Sequence, residues 1–151
     1  MNEIREFQGE FRFLSNFFPS PMLVRGVGTK TQQWIPTAEH LFQALKTRIP
    51  EEQQAVLNCA TPGQAKRLGR QITLRDDWED IKLNVMRVVI KAKFEQNPRL
   101  AQQLLATGEA QLIEGNWWND KWFGVCLRTG EGENHLGKIL MEVREELRQK
   151  G

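Results

Sequence analysis

Three polar residues with complementary chemistry share one short segment, PTAEHLFQALK at residues 36–46. Glu39, Gln43 and Lys46 are spaced i, i+4 and i+7, so a helix would carry all three on one stripe. If the stripe lines a pocket, its carboxylate could serve in acid–base or electrostatic catalysis and its ammonium could bind an anion. If it faces water, Glu39 is an acid in the first helical turn, where the helix dipole favours negative charge. The spacing leaves both interpretations open.

A second segment places one acid among aromatic side chains. The stretch NWWNDKWFG, residues 116–124, holds Asp120 among three tryptophans and one phenylalanine. Aromatic rings can stack on a flat heterocycle, a contact worth roughly 1–3 kcal/mol per base, and Asp120 could then act beside it. The same rings could instead plug the hydrophobic core. The segment therefore predicts either a stacking surface with a carboxylate or a packed loop.

Helices make up most of the elements that would position these residues. Thr37 is a good N-cap for the first helix, and Thr61 followed by Pro62 is a second N-cap with proline at the first helical position. Apolar residues occur on nearly every side between Val85 and Phe94, which predicts a buried central helix. We predict helices over residues 37–46, 50–58, 61–70, 76–96 and 98–106, and an amphipathic closing helix from residue 133.

Strands are predicted to be few and short. The stretch FQGEFRFLSNFF, residues 7–18, alternates loosely. Its i, i+2 pair Phe11 and Phe13 suits a short strand that runs into a turn at Ser15 and Asn16. These two polar residues could cap that turn or reach a ligand. Further strands are predicted over residues 22–27, near residue 34 and over residues 111–114.

Local groups of cations stand out against a nearly neutral chain. The formal net charge of +2 is too small to indicate nucleic-acid binding by itself, so a phosphate would have to meet a local cluster. Lys66, Arg67 and Arg70 form such a cluster, which could be a solvated face or a phosphate contact. Lys93 lies in the apolar zone of the 76–96 helix. Its stem could snorkel with the ammonium in water, or it could be a buried cation aimed at a ligand.

Composition and motifs exclude several classes. With 151 residues, of which 40% are hydrophobic, the chain is predicted to be a single domain over residues 1–151 with its own core. No membrane span or signal peptide is expected, and the isolated Cys59 and Cys126 suggest reduced thiols in a cytoplasmic protein. Histidine and cysteine spacing indicates no metal site, and no cofactor is predicted. GENHLGK, residues 132–138, fails as a phosphate loop because Ile139 replaces the required Ser or Thr. Nothing indicates the oligomeric state.

A series of short motifs follows in one order between about Phe7 and Leu147. They are FLSNFFPSP, PTAEHLFQALK, ATPGQAKRLGR, the pattern W-x3-K-x2-VM, KAKFEQNP, LLATG, LIEGN and GENHLGKILMEVREEL. This ordered set resembles the NADAR family, the YbiA-like N-glycosidases, and the order is far more specific than any single motif. The resemblance implies an α+β fold, mostly helical with a small β-sheet.

The resemblance also implies hydrolysis of N-glycosidic bonds in phosphoribosyl or ADP-ribosyl compounds. Substrates of the family include phosphoribosylamino intermediates of the riboflavin pathway and ADP-ribose attached to guanine in nucleic acid. Carried onto this chain, the resemblance implies catalytic roles for Glu39, Lys46 and Asp120. It implies pocket roles for Ser15, Asn16, Trp78 and Asn134, and we predict further substrate contacts at His40, Gln43, Lys93, Trp118 and Trp122. The family places tryptophan directly before the loop glycine, whereas here the order is Trp122, Phe123, Gly124.

A mechanism follows from this expectation. Breaking a C1′–N bond builds positive charge on the ribose, which an ionised Glu39 would stabilise while it activates water. Asp120 would hold a ribose hydroxyl or assist proton transfer, and Trp78 or Trp118 would stack the base. Lys46 would pair with phosphate, or attack C1′ and form a Schiff base.

Two rival functions remain open at this stage. One is a binding module that recognises ADP-ribose or a related NAD derivative without cleaving it. The other is a helical interaction protein whose polar stripe is surface. The predicted partner of the enzyme is a small nucleotide or ADP-ribosylated nucleic acid, with no membrane involved.

Overall fold

The computed structural model describes residues 2–151, which form an α+β fold that is mostly helical. This part of the chain contains six α-helices, one 3₁₀ helix and three separate two-stranded sheets. The predicted α+β class is therefore confirmed, although the expected sheet is divided into three. Contacts group the chain into two compact units, one formed by Asn16–Asn97 and the other by residues 2–15 with Pro98–Gly151.

The Asn16–Asn97 unit contains one antiparallel hairpin and four helices. The strands β2 (Met22–Arg25) and β3 (Gln32–Ile35) pair from Met22↔Ile35 to Arg25↔Gln32. Met22 and Ile35 are 0% and 1% exposed, so this end of the hairpin is anchored in the core. The helices are α1 (Ala38–Ala44), α2 (Pro50–Leu57), α3 (Pro62–Leu68) and α4 (Trp78–Gln96). The predicted strands and helices of this region are confirmed.

Two of these helices begin at the predicted caps. Thr37 Oγ1 accepts a hydrogen bond from the His40 backbone N–H at 3.1 Å, and Thr61 Oγ1 accepts one from Gln64 N–H at 3.1 Å. Helix α1 has only seven residues, and all of them are buried. Because so short a helix is marginal by itself, its stability comes from the contacts it makes with α2, α3 and α4.

Helix α4 buries one face rather than all of its circumference. Its buried residues are Trp78, Met86, Val89, Ile90, Lys93 and Phe94. Val88, in the same apolar stretch, is 57% exposed, so the prediction of burial on nearly every side is wrong. The reason is tertiary: α4 packs against α1 and β2, and these neighbours cover one side. Within residues 2–151 no helix, α4 included, is both long and apolar enough to cross a lipid bilayer.

The other unit contains a 3₁₀ helix, Gly9–Leu14, where a strand was predicted. The strand prediction is wrong because the neighbours Phe13 and Leu14 are both buried, at 4% and 0% exposure, whereas a strand would point them to opposite faces. Gly9 has a φ of +58°, a left-handed conformation that suits glycine and turns the chain into this helix.

Two parallel strand pairs and two helices complete this unit. They are β1 (Glu3–Ile4) with β4 (Gln111–Leu112), β5 (Gly115–Asn116) with β6 (Val125–Cys126), and the helices α5 (Pro98–Ala106) and α6 (His135–Lys150). Arg144 of α6 is 6% exposed and donates hydrogen bonds to the Ala110 carbonyl and to Thr107 Oγ1, each at 2.9 Å. These bonds tie α6 to the segment that follows α5. The predicted α5, β4 and closing helix are confirmed.

Candidate functional site

The polar stripe of α1 is buried. Glu39 is 7% exposed and Gln43 is 4% exposed. The interpretation of this stripe as a solvated surface is therefore wrong, which removes the basis for a plain interaction protein. Burying a carboxylate and an amide costs free energy unless both find partners, so the surroundings of these two residues indicate what the stripe is for.

Glu39 is held through its side chain and its backbone. Its Oε2 accepts a short hydrogen bond of 2.6 Å from Gln43 Nε2, one helical turn further on. Its backbone N–H donates to the Asn16 carbonyl at 3.0 Å. The i, i+4 pair on one helix face restrains the carboxylate, and the bond to Asn16 attaches the preceding segment to the start of α1. The structure thus brings together three residues that the sequence singled out.

Two buried amide oxygens next to Glu39 lack hydrogen-bond partners among residues 2–151. They are Asn16 Oδ1 and Gln43 Oε1. The amino groups of both amides are already engaged, since Gln43 Nε2 donates to Glu39 and Asn16 Nδ2 donates to Met86 Sδ at 3.4 Å. A buried acceptor without a donor costs about 1–3 kcal/mol, and in native proteins such atoms call for an explanation. Both acceptors are suited to N–H or O–H groups of a ligand.

Lys46 lies in the turn after α1, on the side that carries Glu39. Its Nζ is 5.9 Å from the centroid of the Phe42 ring. Partial burial lowers the pKa of Lys46 below its usual value, and the charge of Glu39 opposes this effect. Three further cations lower it again, in the order Arg70, Lys66 and Lys82. We refer to Lys46, Lys66, Arg70 and Lys82 as the Lys46 cluster.

The Lys46 cluster draws on three elements of the fold. Lys66 and Arg70 come from α3 and the residues after it, as the sequence suggested, but Lys82 of α4 was not predicted. Lys82 is 20% exposed at its side chain and pairs with Glu79 at 2.9 Å. Its place in the W-x3-K motif was the signal that could have identified it. Positive charges gathered beside a carboxylate suit a ligand that carries phosphate.

Trp78 and His40 support the site from the core. Trp78 is 5% exposed, and its ring centroid lies 5.2 Å from that of Phe42. His40 is fully buried, with Nδ1 2.7 Å from Thr37 Oγ1 and Nε2 2.9 Å from the Cys59 carbonyl. Burial lowers the pKa of His40, and the hydrogen bond to Cys59 partly offsets this. Both ring nitrogens are engaged within the protein, which gives His40 a structural role, and its contact with substrate stays a prediction.

Lys93 is a lysine on the buried face of α4. Its side chain is 0% exposed, so the snorkelling interpretation is wrong and the lysine is buried. Desolvation lowers the pKa of Lys93 to about 7, and its Nζ lies 5.2 Å from the centroid of Phe94. Lys93 is two helical turns after Met86, which contacts Asn16. Contact between Lys93 and substrate stays a prediction.

Asp120 organises its own loop in the second unit. Its Oδ1 accepts hydrogen bonds from the backbone N–H groups of Trp122 at 3.1 Å and Phe123 at 3.0 Å. Asn116, which is 1% exposed, closes the loop from the other side: its Oδ1 accepts from Asp120 N–H and its Nδ2 donates to the Asp120 carbonyl, both at 2.9 Å. This geometry gives Asp120 a clear role in shaping the loop, and its catalytic role stays a prediction.

Asn134 and Ser15 hold backbone positions in the same unit. Asn134 precedes α6 with a φ of +56°. Its side chain accepts from Glu114 N–H and donates to the Leu112 carbonyl, each at 2.9 Å, so both ends of the amide are used within the protein. Ser15 is half-buried and ends the 3₁₀ helix, where its backbone N–H donates to the Arg12 carbonyl at 3.0 Å. These contacts give Asn134 and Ser15 structural roles, and their predicted roles in a substrate pocket stay predictions.

The loop tryptophans differ in environment. Trp118 is 59% exposed, whereas Trp122 is half-buried. The Trp122 ring packs edge-on against Phe123 with 4.6 Å between centroids, and it packs tilted against the His135 ring with 4.4 Å between centroids. Trp118 is mostly exposed to solvent, and its stacking on a base stays a prediction, while Trp122 packs within its loop. The loop is therefore packed at one end and exposed at the other.

Comparison with known proteins places the chain in one family. A model of the NADAR domain matches residues 4–148. N-glycosidase YbiA of Escherichia coli is 41% identical over 135 residues, which cover 88% of this chain and 79% of that protein. A protein of Nostoc punctiforme named as an N-glycosidase is 38% identical over 140 residues, 89% of this chain and 84% of its own length.

Two further comparisons extend this result. The chain is 41% identical over 143 residues to a riboflavin biosynthesis protein of Vibrio vulnificus, but it spans only 36% of that protein's length. The NMR structure of E. coli YbiA matches 99% of this chain and 88% of its own, with a TM-score of 0.83 and 36% identity. Sequence, fold and the ordered motifs agree, and the chain belongs to the NADAR domain family.

Proposed function

We propose that this chain hydrolyses the N-glycosidic bond between a base and a phosphoribosyl or ADP-ribosyl group. The enzyme class, N-glycosidase, is that of its family and of relatives 41% and 38% identical. The observation that supports the substrate class is the Lys46 cluster, which gathers four cations near a buried carboxylate. Such a site can bind phosphate at one end and stabilise positive charge at the other.

Glu39 is the residue on which the chemistry depends. As the base leaves, positive charge develops at C1′ and the ring oxygen, and a carboxylate fixed beside them stabilises this charge without reorganising. Gln43 provides that fixation through its hydrogen bond of 2.6 Å. The same carboxylate can accept a proton from the water that attacks C1′.

Lys46 has two roles that its environment supports. The nearby cations favour binding of a phosphate, to which Lys46 would contribute one charge. Its lowered pKa increases the neutral fraction, which favours attack on C1′. The C1′–N bond to the base then breaks, the ring opens at its C1′–oxygen bond to give a Schiff base with Lys46, and water hydrolyses that Schiff base. Borohydride reduction of the enzyme during turnover separates the two: a covalent sugar adduct on Lys46 supports the nucleophile, and intact Lys46 with normal turnover supports the phosphate ligand.

Two substrate classes fit this proposal. One is the phosphoribosylamino-pyrimidine type of the riboflavin pathway, suggested by relatives named as riboflavin biosynthesis proteins in V. vulnificus and Zea mays. The other is ADP-ribose attached to guanine in nucleic acid, which the family resemblance implies. Since the chain spans 36% and 23% of those two relatives, their pathway is a proposal for this chain.

The experiment is base release, measured by chromatography, with both substrates in parallel. Wild type should release base from one of them, and Glu39→Gln should abolish release while it keeps most of the affinity, because an amide retains the shape and a hydrogen bond to Gln43. Glu51→Gln, an exposed carboxylate on α2, is the control and should behave as wild type. If wild type releases no base but binds ADP-ribose tightly, the non-catalytic ADP-ribose binding module is the better description.

A further inference from the structure

Gln43 carries a buried oxygen that the chemistry described above does not use. Its Nε2 is committed to Glu39 Oε2 at 2.6 Å, and this fixes the orientation of the amide because the reverse orientation would place oxygen against oxygen. Its Oε1 then has no donor among residues 2–151, although the side chain is only 4% exposed. The amide therefore has one occupied end and one vacant end beside the proposed catalytic carboxylate.

The neighbouring backbone is built to keep this oxygen in place. A Cβ atom at Gly69 would collide with Gln43 Oε1 and would come within 2.8 Å of Gln43 Cδ. Gly69 has φ −58° and ψ −19°, which any residue can adopt, so its backbone conformation does not require glycine. What requires glycine is the close approach of the Gln43 amide. Two independent features, the vacant acceptor and the missing Cβ, thus point to the same atom.

The order of groups along α1 identifies the part of the ligand that meets Gln43. On the proposed function, on which this step rests, Glu39 faces C1′ and the Lys46 cluster, with Lys46 as a phosphate ligand, faces phosphate. Gln43 lies between them in sequence and is bonded to Glu39. In a phosphoribosyl group the ribose lies between C1′ and the phosphate, and the base lies on the other side of C1′. The hydroxyl nearest to C1′ is the one on C2′.

We propose that Gln43 Oε1 accepts a hydrogen bond from the 2′-hydroxyl of the ribosyl group, so that the site selects ribosyl over 2′-deoxyribosyl ligands. A site that hydrogen-bonds a hydroxyl discriminates strongly against the analogue without it, because the buried acceptor is then left unpaired. Gly69 is a positioning residue in this scheme, since it acts only by letting the Gln43 amide take its place.

The test compares the binding of ribose 5-phosphate and 2-deoxyribose 5-phosphate by isothermal titration calorimetry. In wild type the ribosyl compound should bind about tenfold more tightly or better, the ratio expected for one buried hydrogen bond. In Gln43→Met, which removes the acceptor, the ratio should fall to about one. If Gln43 had a purely structural role, Gln43→Met would weaken the binding of both sugar phosphates alike and leave the ratio of their affinities unchanged.

Gly69, directly after α3, and Gly63, within α3, give a matched pair. Gly69→Ala should also reduce the ratio to about one, because the added Cβ displaces the Gln43 amide. Gly63→Ala is the control, since a Cβ there meets nothing closer than Thr61 Oγ1 at 3.9 Å. Gly63→Ala should bind both sugar phosphates with the wild-type affinities.

The outcomes separate this proposal from the proposed function. A ratio near one in wild type, a ratio preserved in Gln43→Met and Gly69→Ala, or no binding of either sugar phosphate overturns the assignment of Gln43. Base release with equal rates on ribosyl and 2′-deoxyribosyl substrates overturns it as well, while the glycosidase activity stands. A tenfold ratio in a protein that releases no base supports Gln43 and refutes the enzyme.

Discussion

Replacing Lys93 by methionine should stabilise the protein, and the gain should depend on pH. Lys93 is fully buried, and desolvation lowers its pKa from 10.5 to about 7. Above pH 10.5 the amine is neutral in both the folded and the unfolded chain, so burial carries no charge penalty. Between pH 10.5 and about 7 the unfolded chain binds a proton that the folded chain does not, so the free energy of unfolding falls as pH falls. Below about 7 both states are protonated and the penalty is constant.

The magnitude follows from the two pKa values. The difference between 10.5 and about 7, at 1.36 kcal/mol per pH unit, corresponds to about 5 kcal/mol at pH 7 and below. This is comparable with the whole free energy of unfolding of many domains, about 5–15 kcal/mol, so the effect should be easy to measure. Methionine is close to lysine in length, flexible and apolar, and can fill the same space without a charge.

The assay is urea unfolding followed by tryptophan fluorescence at pH 6, 7, 8 and 9. Lys93→Met should be more stable than wild type at pH 6 and 7, and this advantage should shrink by about 2 kcal/mol between pH 7 and 9. Groups that titrate in both proteins cancel in the difference. Lys91→Met, an exposed lysine on the same helix, is the control and should follow the wild-type profile. An advantage that is absent, or equal at all four pH values, would refute the reasoning.

Variants at three further positions, Thr37, Arg144 and Asp120, test how the scaffold is held together. Thr37→Val removes the N-cap acceptor for the His40 N–H and should lower the free energy of unfolding by about 1 kcal/mol in urea, whereas Thr37→Ser should lose less. Arg144→Leu leaves the Ala110 carbonyl without its donor and should cost about 1–3 kcal/mol in the same assay. Asp120→Ala should speed proteolytic cleavage of the 116–124 loop, whereas Asp120→Asn keeps an acceptor for the two backbone amides and should not. Wild-type base release by Asp120→Asn would refute a catalytic role for that carboxylate.

The errors in the sequence-based expectations have a common cause. Phe11 and Phe13 looked like strand partners, and Lys93 looked like a snorkelling lysine, because each pattern was judged without knowing what packs against it. In the structure the first two lie in a 3₁₀ helix, and Lys93 is 0% exposed on the face of α4 that is covered. Burial depends on neighbours that are distant in sequence, and periodicity does not report them.

At the Glu39 site, too, contacts between residues close in sequence were predictable and contacts between separate helices were not. The i, i+4 spacing of Glu39 and Gln43 was enough to place them on one stripe, and the structure joins them by a hydrogen bond. The role of Gly69 was not visible in the sequence, because it comes from the approach of α3 to α1. Lys82 was likewise assigned no role until α4 brought it near Lys46.

The helix starts at Thr37 and Thr61, the order of helices, the α+β class and the family could all be read from the sequence, because capping and helix propensity act between residues a few positions apart and the motifs are linear. The burial of α1 on every side, the acceptor that is left vacant and the cations that gather at Lys46 could not be read from it. These properties arise when separate helices pack together, and the free-energy cost of burying a charge or an amide exists only in that packed state.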